Sequence, residues 1–277
     1  MMITNALGEK ERFDQSKVER TCIRAGASRE AAQKISRYVA SQITDGMRTK
    51  EILRITLEAL ERMAPTPIAS RYDLKGAIMR LGPAGFAFET FFSELLNDSG
   101  YTTQTRQILQ GACIPHEIDI IAEKDGKKWL VECKYRNYSG EYIRVKDALY
   151  TYARFLDLKE GYEQDKCPVK FDNVWLATNT KFSDDVEQYT KCKGIKLTAW
   201  KYPPGLGIAE IVERKKLYPI TVLRSLDPHT QKMFAQAGLM LCRDLVKLEE
   251  HQLKDIAAIS YNKAIIIREE AREICSQ

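Results

Sequence analysis

Two short apolar runs, PHEIDIIA ending at Ala122 and WLVECKYR beginning at Trp129, flank a segment that carries Asp125-Gly126. Both runs read as strands, being rich in Ile, Val, Leu and Trp, and Asp-Gly between two such runs signals a two-residue type I′ hairpin loop. Such a loop fixes the register. Lys124 then pairs with Lys127, and counting outward sets Asp119 opposite Glu132 and Glu117 opposite Lys134. Opposed residues share a face, with Cβ atoms about 4.5–5.5 Å apart. Two carboxylates that close repel, so the register is costly unless a cation joins them or one takes up a proton.

An Asp followed across the hairpin by Glu-x-Lys has the residue types of a metal-dependent nuclease site. Hard oxygen ligands suit Mg²⁺, which keeps several waters and also accepts phosphate oxygens, so Asp119 and Glu132 could hold it in an open site. Lys134, two residues beyond Glu132 and on the same face, could orient a bound water or stabilise developing negative charge. The alternative is a solvated strand face whose Glu and Lys neutralise each other. A further carboxylate, Glu89, lies in AGFAFETFFSELLNDSGY, whose Phe88, Phe91, Phe92, Leu95 and Leu96 repeat at helical spacing before Ser99-Gly100. A Glu on the apolar side of a helix is unfavourable unless paired or metal-bound, which makes Glu89 a candidate supporting ligand. Escape to solvent at the helix edge is its other explanation.

On FETFFSELLNDSGY, EIDIIA, VECKYR and WLATNTKFSDDVEQYTKCKGIKLTAW, the segment from about Gly85 to Trp200 resembles the Mrr-like restriction endonucleases of the PD-(D/E)XK superfamily. The resemblance implies a catalytic set of Glu89, Asp119, Glu132 and Lys134. Many members carry Gln at the position of Glu132, and the Glu-x-Lys form is similar to archaeal Holliday-junction resolvases. His116 and Glu117 have no counterpart in the pattern. His116 reads either as a ligand or proton shuttle or as an exposed loop residue.

The chain has 277 residues and 44% hydrophobic composition, enough to bury more than one core. No run is long and apolar enough to span a bilayer, and the N-terminus lacks the apolar stretch of a signal peptide, so a soluble cytoplasmic protein is expected. Seven scattered Cys with no C-x-x-C pair argue against zinc and against a secreted disulfide framework. Cys133, between Glu132 and Lys134, should face the other side of the sheet. A net charge of +5 and a pI near 8.7 permit a polyanionic partner without requiring one.

Residues 1–82 read as a short strand and turn followed by helices. SKVERTCIRAG closes at Gly26, Ser28 caps SREAAQKISRYVASQI, and TKEILRITLEALERM opens at Thr49 before Pro65-Thr66-Pro67. Gly82-Pro83 marks a linker. The order of elements, GEKERFDQSKV with Phe13, Asp14 and Lys17, the helix end at Gly26 and Tyr72 before the last helix resemble an ATP-cone. That resemblance implies ATP or dATP as an effector, with Lys17 reaching a phosphate, although the usual Lys-Arg pair of the first strand falls here at Asn5 and Ala6. The alternative is a cone used for dimerisation or docking.

Residues 83–205, the nuclease-like region, continue with SGEYIRVKDALYTYARFLDL, where Val145, Leu149, Tyr152 and Leu156 recur at helical spacing. Arg144 and Lys146 at its start are candidate contacts to a DNA backbone or a solvated face. Alternating strands (VWLAT, IKLTAW) and a helix (DVEQYTKC) argue for an α/β fold with a central mixed sheet flanked by helices. Residues 206–277 read as helices only and resemble a helix-hairpin-helix module. This implies DNA contact by Ser260, Asn262 and Lys263, with AISYNKA in place of the Gly-hydrophobic-Gly hairpin; a packing or partner-binding bundle is the alternative.

The sequence thus leads to an α/β protein with a restriction-endonuclease-like sheet between mainly helical N- and C-terminal domains. The expected activity is Mg²⁺- or Mn²⁺-dependent hydrolysis of DNA phosphodiester bonds, in restriction, defence or repair. Double-strand cutting implies a homodimer by symmetry. The alternatives are a Holliday-junction-resolvase-like nuclease and a nucleotide-responsive DNA-binding regulator whose nuclease fold does not cut.

Overall fold

In the computed structural model, which describes residues 1–82, 85–138 and 140–276, the chain opens with a small antiparallel hairpin, β1 (Met2–Thr4) and β2 (Lys10–Arg12). Asn5 shapes its turn: the Oδ1 atom accepts the backbone N–H groups of both Leu7 and Glu9, the local self-capping to which asparagine is suited. Five helices follow, α1 (Gln15–Arg24), α2 (Arg29–Gln42), α3 (Thr49–Met63), α4 (Thr66–Tyr72) and α5 (Leu74–Met79). Asp14 and Ser28 cap α1 and α2 with side-chain oxygens, as their residue types favour. Val18, Cys22, Ile35, Val39, Ile52 and Leu60 close a common core. The linker expected at Gly82-Pro83 falls partly outside the described residues, at Pro83.

The next segment carries the sheet. Helix α6 (Phe86–Asp98) leads into β3 (Thr102–Gln110), β4 (Pro115–Lys124) and β5 (Lys127–Lys134). After the short β6 (Tyr142–Ile143) come α7 (Val145–Glu163), β7 (Asn173–Thr178), β8 (Lys181–Phe182), α8 (Asp184–Lys193), β9 (Lys196–Thr198) and α9 (Ile208–Lys215). Five strands form one mixed sheet in the order β3-β4-β5-β7-β9. The first three are antiparallel neighbours, while β5, β7 and β9 run parallel. Strand alternation sends Val174 and Leu176 of β7 into a core with Ile121, Leu130, Ala148, Leu158 and Val186, under α7 and α8. Trp175 points the other way, edge-on to Phe92 of α6. The sheet is therefore covered by helices on both faces.

The remaining helices are α10 (Pro228–Gln236), α11 (Cys242–Lys247), α12 (Glu250–Ala257) and α13 (Tyr261–Cys275). Contacts divide the chain into two units, Met1–Arg80 with Lys216–Gln277, and Leu81–Lys215. Within the first unit, Arg71 Nη2 donates to the carbonyls of Glu273 and Ile274 at 2.9 Å, and Thr221 Oγ1 donates to the carbonyl of Ala77 at 2.7 Å. The N-terminal and C-terminal helices thus share one folded unit. Among the described residues no helix is long and apolar enough to cross a membrane, and all seven cysteines are free thiols.

The burial of α7 corrects its sequence reading. Ala148, Thr151, Arg154 and Leu158 face inward, whereas Leu149 and Leu156 are exposed. Small residues at 148 and 151 let the helix lie close to the sheet, and the inward arginine is neutralised by a strand carboxylate. Val145 and Tyr152 of the expected stripe do pack against that core, so apolar period alone places half of the buried face correctly and misplaces the rest.

Candidate active site

Asp125 and Gly126 both have positive φ, +53° and +71°. That is the type I′ turn, which glycine adopts without steric cost. Pairing of β4 with β5 runs from Lys124–Lys127 to Ile120–Val131 and stops there, one pair short of Asp119–Glu132. Asp119 Oδ2 instead accepts the backbone N–H of Cys133 at 2.7 Å. The alternation of β4 breaks at the same place, since Ile118 and Ile121, three residues apart, pack in one core cluster although strict period 2 would separate them. Continued pairing would press two like charges together. The hairpin opens where that repulsion begins.

Glu132 is 3% exposed and carries two cations. Lys134 Nζ donates to its Oε1 and Arg154 Nη1 to its Oε2, each at 2.6 Å. Arg154 comes from the inward face of α7 and is itself buried. The ring of Tyr150, one helical turn earlier, lies 6.0 Å from Lys134 Nζ and 5.5 Å from Arg154 Cζ, within reach of cation–π attraction. Among the described residues no cation forms an ion pair with Asp119, although the Lys134 charge acts on it more weakly. Burial pushes its carboxyl up to about 7, with the Glu132 charge adding to the rise and the Cys133 N–H opposing it.

Glu89 lies in the first turn of α6 with its side chain 14% exposed. Burial raises its carboxyl, and Glu117 and Glu132 push the same way, while Arg106 opposes them. Arg106 Nη1 stands 3.8 Å from Glu89 Oε2 and donates to Thr90 Oγ1 at 3.1 Å. The sequence-derived set of Glu89, Asp119, Glu132 and Lys134 therefore shares one electrostatic neighbourhood. Cys133 beside it is half-buried, and burial together with the carboxylates drives its thiol well up.

Other candidates fall elsewhere. His116 is buried and shares a 2.7 Å hydrogen bond with Asp157 of α7, which corrects its reading as an exposed loop residue. Asp157 also accepts the Cys113 N–H at 2.9 Å, tying the β3–β4 turn to the helix. Glu117 is exposed, as are Arg144, the N-cap of α7, and Lys146. In the other unit, Ser260 caps α13 through its hydroxyl and Asn262 is exposed. The Lys263 ammonium is held by Asp227 and donates to Thr230 Oγ1 at 3.2 Å. Lys17 is exposed on α1.

Sequence reasoning missed Arg154, Tyr150 and Arg106. The signal available for the first was a charged residue at i+3 from Thr151 on a helix facing a strand glutamate, legible only once the facing stripe is known. Among the described residues no group of three or more His, Cys, Asp or Glu is gathered as a metal site. A magnesium ion requires less, since it commonly takes one or two carboxylates and retains waters. Asp119 and Glu132 supply donors of that kind, and the partly exposed Lys134 is the cation that could yield Glu132 Oε1.

The sequence model of a family described as AF1548-like, C-terminal, matches residues 218–275. An uncharacterized protein from Archaeoglobus fulgidus is 43% identical over 183 residues, which cover 66% of this chain and 98% of that protein. A crystal structure of a protein of unknown function, AF1548, is similar with a TM-score of 0.61 and 39% identity, covering 70% of this chain and 100% of that one.

Proposed function

This chain belongs to the AF1548-like family, and we propose that it is a metal-dependent endonuclease that hydrolyses phosphodiester bonds in DNA, akin to the Mrr-like PD-(D/E)XK enzymes it resembles. One observation carries the reading. A hairpin unzips at Asp119, whose carboxyl is pushed up to about 7 by burial and by Glu132, with Lys134 two residues further along β5. A half-buried carboxylate beside others of like charge is unfavourable for folding, so its presence calls for a chemical explanation.

In this reading Asp119 and Glu132 would hold Mg²⁺ or Mn²⁺, with Glu89 in support. The ion would supply Lewis acidity at the scissile phosphate and a more acidic water. The chain's own groups prepare that site. The Cys133 N–H orients Asp119, and Arg154 anchors Glu132 by its Oε2. Lys134, released from Glu132 Oε1, donates to the attacking water or to the charge that grows on phosphate. Tyr150 flanks both cations and limits their swing. DNA is the partner, the chain acts in the cytoplasm, and two copies would combine for double-strand cutting.

The test is cleavage of supercoiled and branched DNA in Mg²⁺ or Mn²⁺ by wild type, Asp119→Asn and Lys134→Ala. Wild-type nicking is expected, with loss to background for Asp119→Asn and a fall of roughly 10²–10³-fold for Lys134→Ala, the usual effect of removing one transition-state donor. Equal behaviour of all three ends the proposal. A second reading, a nucleotide-responsive DNA-binding regulator that does not cut, is favoured by the fact that Lys134 and Arg154 already neutralise both Glu132 oxygens. Calorimetry decides between them: Mn²⁺ binding lost in Asp119→Asn supports the nuclease. ATP or dATP binding without Mn²⁺ binding supports the regulator.

A further inference from the structure

The β3–β4 ladder contains one gap. Thr102–Thr105 pair with Glu123–Ile120 and Gln107–Gln110 pair with Ile118–Pro115, all in one register. The omitted position sets Arg106 opposite Asp119. Arg106 has φ +52°, a left-handed conformation that costs a long side chain energy and glycine almost none. The other described non-glycine residues with positive φ, Asp125, Asp165, Lys216 and Ala258, lie in the hairpin turn or just after α7, α9 and α12, where such geometry is ordinary. Arg106 adopts it in the middle of a strand.

None of its contacts with the described residues requires this. The side chain is 43% exposed, and one terminal nitrogen, Nη1, makes both the Thr90 hydrogen bond and the 3.8 Å approach to Glu89. A loose, solvent-screened ion pair adds little stability. Strain maintained for so small a return is a feature of functional positions.

We propose that Arg106 contacts a backbone phosphate of DNA lying across Asp119, presenting Nε and Nη2 as a fork to two non-ester oxygens. The inference rests on the nuclease reading above and names its substrate-gripping residue. A planar guanidinium matches phosphate in two-point contact, and a polyanion drawn towards Glu89, Asp119 and Glu132 needs a cation at the rim. The twist at position 106 turns the side chain of an edge strand towards α6 and those carboxylates. The residue opposite the metal-binding aspartate is thereby assigned to substrate.

The test uses the full chain and a fluorescent DNA duplex in Ca²⁺, with affinity measured over a salt series for wild type, Arg106→Gly and Arg106→Gln, followed by Mg²⁺ cleavage kinetics. Loss of one phosphate contact lowers the slope of log K against log salt by about one, and both variants should show that drop. Their KM should rise about tenfold with kcat largely kept. Arg106→Gly should melt no lower than wild type because glycine removes the strain. If it unfolds instead, Arg106→Gln, which keeps the backbone and removes the charge, decides through its slope. A wild-type slope and KM in Arg106→Gln overturn this inference and leave the nuclease reading standing, whereas failure of wild type to bind DNA at all overturns both.

Discussion

Asp119 and Asp227 are both aspartates that accept a backbone N–H, and they have opposite fates. Asp227 caps α10 at the surface, accepting from Thr230 N at 2.8 Å and Thr230 Oγ1 at 2.9 Å, and it also holds the Lys263 ammonium. The Lys263 hydrogen bond and those from Thr230 hold its carboxyl well below the usual range. Asp119 receives one N–H, from Cys133. Its neighbouring charges include Glu132 and Glu89, and burial with that repulsion lifts it to about 7. Where a carboxylate serves the fold, donors and cations collect on it. Where it is left among its own kind in a partly closed place, the fold bears a cost that a ligand could relieve.

The contrast is most exposed to test in Asp119→Asn. An amide can still accept the Cys133 N–H, so the local structure should survive while nuclease activity falls to background. Stability should change with pH in a definite sense. A folded carboxyl that titrates near 7, above an unfolded value of about 4, binds its proton more tightly in the native state. Wild-type stability therefore falls as pH rises through that window, and Asp119→Asn does not share the fall. Melting curves at pH 5 and pH 8 should show the variant gaining on wild type by on the order of 5 °C. Mn²⁺ should recover much of this for wild type at pH 8 and none for the variant. Parallel curves at both pH values would remove the difference between the two aspartates.

Arg154 should give the next largest effect. Both Glu132 oxygens are neutralised, but Arg154 is the buried partner and Lys134 the more exposed one. Removing one member of a buried pair typically costs about 3–5 kcal/mol because the other charge remains buried. With Lys134 still present, Arg154→Met should lose about 3 kcal/mol in urea unfolding. The double variant Arg154→Met with Glu132→Gln should recover most of it, which isolates the charge from the packing. Equal losses in the single and double variants would make Arg154 a packing residue only.

These residues also mark how far the sequence could be read. The I′ turn and the register to Ile120–Val131 were legible because a two-residue loop dictates both locally. So was α6, whose Phe88, Phe91, Phe92, Leu95 and Leu96 are all buried at the spacing that a helix requires. The end of the ladder was not legible. Whether opposed carboxylates stay paired depends on a competing N–H from Cys133 and on Arg154 arriving from α7, and neither is a property of the hairpin. For α7 the misleading feature was apolar residues on the outer face, Leu149 and Leu156, while the inner face used Ala148, Thr151 and Arg154. Nor does any local pattern tell that Thr221 will bond to Ala77, or Arg71 to Glu273. Contacts so distant along the chain leave no periodic trace.

The smallest expected effect belongs to the satisfied aspartate, and its value lies in its sign. Asp227→Asn keeps a side-chain oxygen that can cap α10 but loses the charge that holds Lys263. A carboxyl held low in the folded state adds stability above the ordinary unfolded value of about 4, and that stability is lost as pH falls through and below it. Wild type and Asp227→Asn should therefore differ slightly and equally at pH 5 and pH 8, and converge at strongly acid pH, the reverse of the Asp119 behaviour. The difference should also shrink in high salt, since the pair is open to solvent. Lys263→Ala should match Asp227→Asn in both respects and leave DNA affinity unaltered if this lysine serves the helix cap. A Lys263→Ala variant with normal melting and a reduced salt slope for DNA would return Lys263 to the substrate and take Asp227 out of the role of a purely structural cap.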